Sequence, residues 1–228
     1  NTLSVTVSES LLPVLPEVLA RIKNLFDLYC EPKAVYETLQ VMNTLQPGLC
    51  VLGTRLPGCF NVFEMSVRAV LGQQITVKAA STLAARLVAV YGTQVQTGIE
   101  GLTHSFPAPA AILALGENIS EHLGKLGIIS ARANTIYQLA RVLADEKNDF
   151  GFCGNPEEEM QKLQAIRGIG SWTAQYIAMR AMGWPDAFLP TDAGIKKALP
   201  DHTPKELQVL SEAWRPWRSY ATVNLWNT

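Results

Sequence analysis

Between Leu163 and Ala174 two helical stretches meet across Arg167-Gly168-Ile169-Gly170, and this join constrains the fold more than any other part of the 228-residue chain. The pattern is Leu163-x-x-Ile166-x-Gly168-Ile169-Gly170-x-x-Thr173-Ala174. Glycine permits positive φ and lacks the Cβ that blocks close approach, so a turn with glycine at both ends can be very tight. Ile169 can tuck back between the two helices and fix the turn. Successive backbone N–H groups then line a concave surface at a helix N-terminus, and such a surface binds anions, phosphate included. An ordinary helical hairpin with a glycine turn accounts for the same residues. The turn alone leaves both readings open.

Nearly every other segment also reads as helix. Residues 13–28 carry Val14, Val18, Ile22, Leu25 and Phe26 as an apolar stripe, and Pro32 opens a second stripe through Val35, Leu39 and Met42. Further helices are predicted over 60–72, 76–91, 110–115, 120–123, 130–144 (capped by Ser130), 156–166, 171–182, 204–214 and 216–226. A short one follows Asp192. Asn155-Pro156-Glu157-Glu158 is a strong helix start, since asparagine caps, proline suits the first turn and the acids face the positive end of the dipole. Residues 94–109 are the least regular, and 150–156 read as a Gly/Asn/Pro loop. Leu3-Ser4-Val5-Thr6-Val7 alternates with period two and is predicted to be a strand. It has no partner in the chain, so it is expected to be the last strand of a sheet lying upstream of Asn1. The fold class is mainly α.

Composition limits the function. Apolar residues at 48% can fill a large core, and charged residues at 17% are too few for a disordered or coiled-coil chain. The formal net charge is −1, so nucleic-acid binding has to come from local features and not from bulk charge. If a basic patch exists, it is expected around Lys196, Lys197, Arg215 and Arg218. Cys30, Cys50, Cys59 and Cys153 are scattered with no C-x-x-C pair, which reads as buried free thiols. No run is long and apolar enough for a membrane span, and no basic-then-apolar leader opens the chain. A soluble, cytoplasmic protein is expected, nucleoid-associated in a bacterium.

The hairpin, followed about twenty residues later by Phe188-Leu189-Pro190-Thr191-Asp192, resembles the helix-hairpin-helix DNA glycosylase superfamily. Within it the chain is most similar to the AlkA-type, 3-methyladenine glycosylase II branch. That likeness runs through Leu25-Phe26-Asp27-Leu28, Leu56-Pro57-Gly58-Cys59, Leu71-Gly72-Gln73-Gln74 and Trp214-x-Pro216-Trp217-Arg218-Ser219-Tyr220-Ala221. The resemblance implies two helical subdomains flanking an active-site cleft, one over 61–184 carrying the hairpin and the other over 13–60 plus 185–228. Residues 1–12 would be the remnant of an N-terminal sheet domain. It implies that Gly168, Gly170 and Thr173 offer backbone amides to a DNA phosphate.

It also implies that Asp192 is the catalytic carboxylate. Hydrolysis of an N-glycosidic bond builds positive charge on the sugar, which a fixed carboxylate stabilises while orienting or activating water. A helix cap is the other role open to this residue, and the two are compatible. Asp186, ahead of the Phe-Leu-Pro segment, reads as a surface loop acid. The base must leave the duplex, and an extruded, cationic alkylated base favours aromatic walls. By resemblance these are Trp172, Tyr176 and Trp226; core packing is the alternative for each. Trp214 and Trp217 read as core. Gln73 and Gln74 stand where the family fills the gap left by the flipped base, Gln74 where the AlkA-type branch has leucine. A solvated helix end fits them equally.

Trp172 occupies the position where bifunctional relatives carry a Schiff-base lysine, so the resemblance implies simple hydrolysis without strand cleavage. No cysteine follows Asp192, so no iron–sulfur cluster can form there, and neither metal nor cofactor is expected. Ala193 and Asn227 stand where the AlkA-type branch has tyrosines, which loosens the substrate assignment. The expected partner is double-stranded DNA with damaged bases, met by a monomer away from membranes. The rivals are a non-catalytic helix-hairpin-helix DNA-binding module and a glycosylase for other damaged purines, such as oxidised ones; the missing lysine disfavours the latter.

Overall fold

The computed structural model describes residues 2–144 and 155–228. Cys153 and most of the loop expected over 150–156 lie outside them. A 3-10 helix, Glu9–Val14, leads into α1 (Leu15–Leu25), in place of one continuous helix from Pro13. The chain leaves α1 through Asp27, whose φ of 52° is left-handed and ends the helical run. Then come α2 (Pro32–Leu39), α3 (Val62–Leu71) and α4 (Val77–Tyr91). Side-chain caps set their starts: Asn61 accepts from Glu64 N at 2.8 Å, and Thr76 accepts from Ala79 N at 3.2 Å.

The strand expected at Leu3–Val7 is not formed, because nothing lies alongside to complete a ladder. The described strands are instead β1 (Thr93–Gln94) and β2 (His104–Ser105), an antiparallel pair in register Thr93 with Ser105. They sit in the segment that sequence left irregular. Next are α5 (Pro109–Leu113), α6 (Ile119–Gly124) and α7 (Ser130–Leu143). Ser130 does not cap α7. It is already helical, the flanking residue is Ile129, and no side chain caps the end. Asn155 does cap α8 (Pro156–Gln164), accepting from Glu157 N at 3.0 Å.

The hairpin turn joins α8 to α9 (Ser171–Arg180); α10 (Ala193–Ala198), α11 (Pro204–Leu210) and α12 (Arg218–Trp226) complete the chain. Two apolar cores form. One gathers α3 to α8 around Val67, Leu71, Leu87, Leu123, Ile136 and Leu163. The other joins α2, the 188–189 segment, α10, α11 and α12 around Leu39, Met42, Phe188, Ile195 and Trp214. Helix α9 serves both: Ala174, Ile177, Ala178 and Ala181 just beyond its end face the first core, while Met179 packs in the second. A helix covered on two sides needs no single polar face, which is why Ser171–Arg180 shows no clean stripe.

Asp186 is not a surface acid. It is 8% exposed and carries a bidentate pair with buried Arg218: Nε to Oδ1 at 2.8 Å and Nη2 to Oδ2 at 2.9 Å. Arg215 adds a third contact to Oδ2. Ser219 N donates to Pro185 O at 2.8 Å, and Ser219 Oγ donates to Trp184 O at 2.7 Å. The start of α12 thus pins the 184–187 loop that leads to Asp192.

Candidate active site

Asp192 is the N-cap of α10, its side chain accepting from Gly194 N at 2.8 Å and Ile195 N at 3.2 Å, both on Oδ1. It therefore has the capping role, and that role fixes the carboxylate in place. Two indoles complete the arrangement. Trp226 Nε1 donates to Oδ1 at 2.8 Å, and Trp172 Nε1 donates to Oδ2 at 3.0 Å. With three donors on Oδ1, the acceptor capacity left to the carboxylate lies on Oδ2.

The three aromatic candidates come together around it. Trp172 and Tyr176, one turn apart on α9, stack with centroids 5.1 Å apart and planes 8° apart. Tyr176 and Trp226 are 6.3 Å apart and tilted by 46°. The Arg180 guanidinium lies 5.9 Å from the Tyr176 ring, continuing the ladder by another turn. All three rings are partly exposed. Trp214 is a core residue, packed edge-on against Phe188.

One contributor went unnoticed in sequence. A Cβ on Gly194 would lie 2.5 Å from Trp226 Cδ1 and 3.0 Å from its Nε1. The indole reaches Asp192 only because position 194 has no side chain. The Asp-Ala-Gly run after Pro190 was the available signal.

At the hairpin, Gly168 has φ 97°, and a Cβ there would come within 2.1 Å of Thr135 Oγ1 on α7. That hydroxyl donates to Arg167 O at 2.9 Å, so the turn is packed directly on α7. Gly170 differs: its φ is −87°, and its Cβ position meets open space. Ile169 is buried between the helices. No side chain caps α9, and its first internal bond is Ala174 N to Gly170 O. Among the described residues no side chain caps the amides of this first turn, and the space at the Cβ position of Gly170 is open.

The structure separates the two glutamines. The Gln73 amide donates to Gly168 O at 3.0 Å and to Thr173 Oγ1 at 2.9 Å, so its side chain is committed to the hairpin. Gln74 is exposed, with φ 54°, at the apex of the turn between α3 and α4. Of the basic patch expected near the C-terminus, Arg218 is consumed by Asp186, and Arg215 by Asp186 and Glu212; Lys196 and Lys197 are exposed.

Burial pushes the Cys59 thiol up to about 11 and raises those of Cys30 and Cys50, which keeps all three protonated. Among the described residues, no group of three or more His, Cys, Asp or Glu side chains is placed to hold a metal ion, and no helix is long and apolar enough to cross a membrane.

This helical fold is that of a base excision DNA repair family. The HhH-GPD superfamily of base excision DNA repair proteins matches residues 67–218, and the AlkA N-terminal domain matches residues 1–61. The chain belongs to the HhH-GPD superfamily. It is 38% identical over 228 residues to DNA-3-methyladenine glycosylase 2 of Escherichia coli, spanning all of this chain and 77% of that protein. It is 40% identical to a probable bifunctional transcriptional activator/DNA repair enzyme AlkA of Mycobacterium tuberculosis, over 92% of this chain but only 42% of that one. In fold it is similar to a 3-methyladenine DNA-glycosylase from Archaeoglobus fulgidus, with TM-score 0.78 and 22% identity over 97% of this chain and 76% of that one.

Proposed function

We propose that this protein is a monofunctional DNA glycosylase that hydrolyses the N-glycosidic bond of alkylated, 3-methyladenine-type bases in double-stranded DNA. The observation that carries the reading is the Asp192 carboxylate, held by four N–H donors against the Trp172, Tyr176 and Trp226 rings. Kinship with DNA-3-methyladenine glycosylase 2 supports the reaction and the substrate class.

The hairpin cradle and the aromatic group share one helix, since Trp172 lies in the first turn of α9. A phosphate held by the amides near Gly168, Gly170 and Thr173 sets the strand beside Asp192. A damaged base turned out of the stack meets the aromatic faces, where its positive charge gains roughly 0.5–2 kcal/mol. As the bond from C1′ to the base nitrogen lengthens, the electron pair leaves with the base, and positive charge grows on the sugar. Asp192 stabilises that charge through Oδ2, the oxygen with acceptor capacity left. Water adds to C1′ and releases a proton, leaving free base and an abasic site. Because an alkylated purine is already cationic, its departure needs little acid catalysis.

A strand-cleaving step would require an amine to form a Schiff base with the sugar. Trp172 offers none, which supports simple hydrolysis. The test is incubation with N-methylated DNA: release of 3-methyladenine or 7-methylguanine without strand breaks, and without a borohydride-trapped protein–DNA adduct. A trapped adduct overturns the monofunctional assignment. DNA binding without base release by the wild-type chain would favour a non-catalytic module.

A further inference from the structure

We propose that Gln73 is a positioning residue that joins the phosphate cradle to the apex of the α3–α4 turn at Gln74. Gripping the strand and occupying the gap left by an extruded base then become one coupled event. The inference rests on the glycosylase reading for its biological meaning, but its evidence is the bonding of Gln73 itself.

That residue ties three elements together. Its side-chain amide has two donor hydrogens, and the structure gives it two acceptors. One is the carbonyl of Gly168 in the hairpin turn at 3.0 Å, and the other is the hydroxyl of Thr173 in α9 at 2.9 Å. Its backbone carbonyl accepts from the Arg132 guanidinium of α7. Helix α7 also holds the hairpin from its other side, through Thr135 Oγ1 on Arg167 O at 2.9 Å. Gly168 and Thr173 are thus fixed through the same residues that present amides at the open face.

The next residue, Gln74, is exposed and left-handed at φ 54°. A non-glycine residue holds that conformation only where its surroundings enforce it, and such strain gathers at functional positions. The enforcement is local and visible. Gly72 N closes α3 on Arg68 O at 2.9 Å, Gln73 is anchored on both its side chain and its carbonyl, and Thr76 caps α4. Gln74 thus stands between an anchored Gln73 and the capped start of α4. Two of these contacts run to the hairpin and the third comes from α7, so the residue immediately before Gln74 is held to the cradle and to the helix that backs it.

The test uses the full chain with Gln73→Met, which keeps length but has no donor, Gln74→Ala, the double variant, and Gln73→Lys, which keeps a donor. Binding is measured with a duplex carrying a tetrahydrofuran abasic analogue next to 2-aminopurine, whose fluorescence reports occupancy of the gap without any chemistry. Single-turnover release is measured for 7-methylguanine opposite cytosine and opposite a gap with no base to displace. Loss of both donors should lower the paired-to-unpaired rate ratio by about tenfold. At saturating protein, Gln73→Met should also lose the Gln74-dependent fluorescence change. Gln73→Met on top of Gln74→Ala should add little, as for one coupled unit, and Gln73→Lys should recover most of the signal. Parallel loss on both substrates, or losses that add independently, overturns the proposal. If the wild-type chain releases no base, the glycosylase reading fails, while the fluorescence series still decides the role of Gln73.

Discussion

Trp226 donates its indole N–H to Asp192 Oδ1 at 2.8 Å across the space that a side chain at position 194 would fill. The two residues are 34 apart in sequence, yet each fixes the other: the carboxylate orients the indole, and the indole occupies a lone pair of the carboxylate. Gly194 makes the contact possible sterically and adds its own N–H to the same oxygen at 2.8 Å.

Gly194→Ala should therefore act through Trp226. The added methyl would fall 2.5 Å from the indole and displace it from Asp192. Removing one hydrogen bond to a charged group corresponds to roughly tenfold or more in rate. Stability should fall by no more than the roughly 1.5–3 kcal/mol that one hydrogen bond to a charged group contributes. Single-turnover excision beside a thermal melt checks both parts; a folded variant with wild-type excision would contradict the assignment.

Gly168→Ala and Gly170→Ala should separate. The first places a Cβ at φ 97° and within 2.1 Å of Thr135 Oγ1. It is expected to destabilise the protein by roughly 1–3 kcal/mol in urea denaturation. The second has an ordinary φ and open space, so stability should hold within about 0.5 kcal/mol. Its methyl would stand before the cradle and should weaken binding to duplex DNA.

Asp186→Ala should be the most destabilising surface-distant change outside the cores. It leaves the Arg218 guanidinium buried without its bidentate partner. Breaking one side of such a pair typically costs about 3–5 kcal/mol. Urea denaturation of wild type, Asp186→Ala and an Asp186→Ala/Arg218→Met double variant measures it, and the double variant should recover part of the loss.

The charge balance sets the expected salt response. Arg215 and Arg218 are engaged by acids, and on the proposed reading the hairpin amides, with Lys196 and Lys197 as what is left of that C-terminal patch, carry the grip on DNA. The log–log dependence of affinity on salt should correspond to about 2–4 phosphates. A much steeper slope would reveal a basic surface that these residues do not supply.

The helical scaffold was legible because an apolar stripe is a local signal, and the helix start at Asn155 carried its cap in the sequence. The candidate site was legible where a motif concentrates it: the hairpin, Asp192 and the aromatic pair Trp172 and Tyr176. What escaped depends on partners far along the chain. Leu3 to Val7 alternates like a strand, but pairing needs a neighbour. Thr93–Gln94 and His104–Ser105 pair although two residues carry no period. Asp186 looks exposed until Arg218, 32 residues later, folds onto it. Gln73 looks like a companion of Gln74 until its amide is found on Gly168 and Thr173, 95 and 100 residues away.

The central claim is tested most directly by Asp192→Asn. Asparagine can still accept from Gly194 N and Ile195 N, so the cap and the fold should persist, while the negative charge is removed. Single-turnover release of 7-methylguanine from a defined duplex is the measurement, with abasic-duplex affinity as the control. The expected result is a loss of at least about a hundredfold in rate with affinity retained. Equal release by wild type and Asp192→Asn would contradict the account.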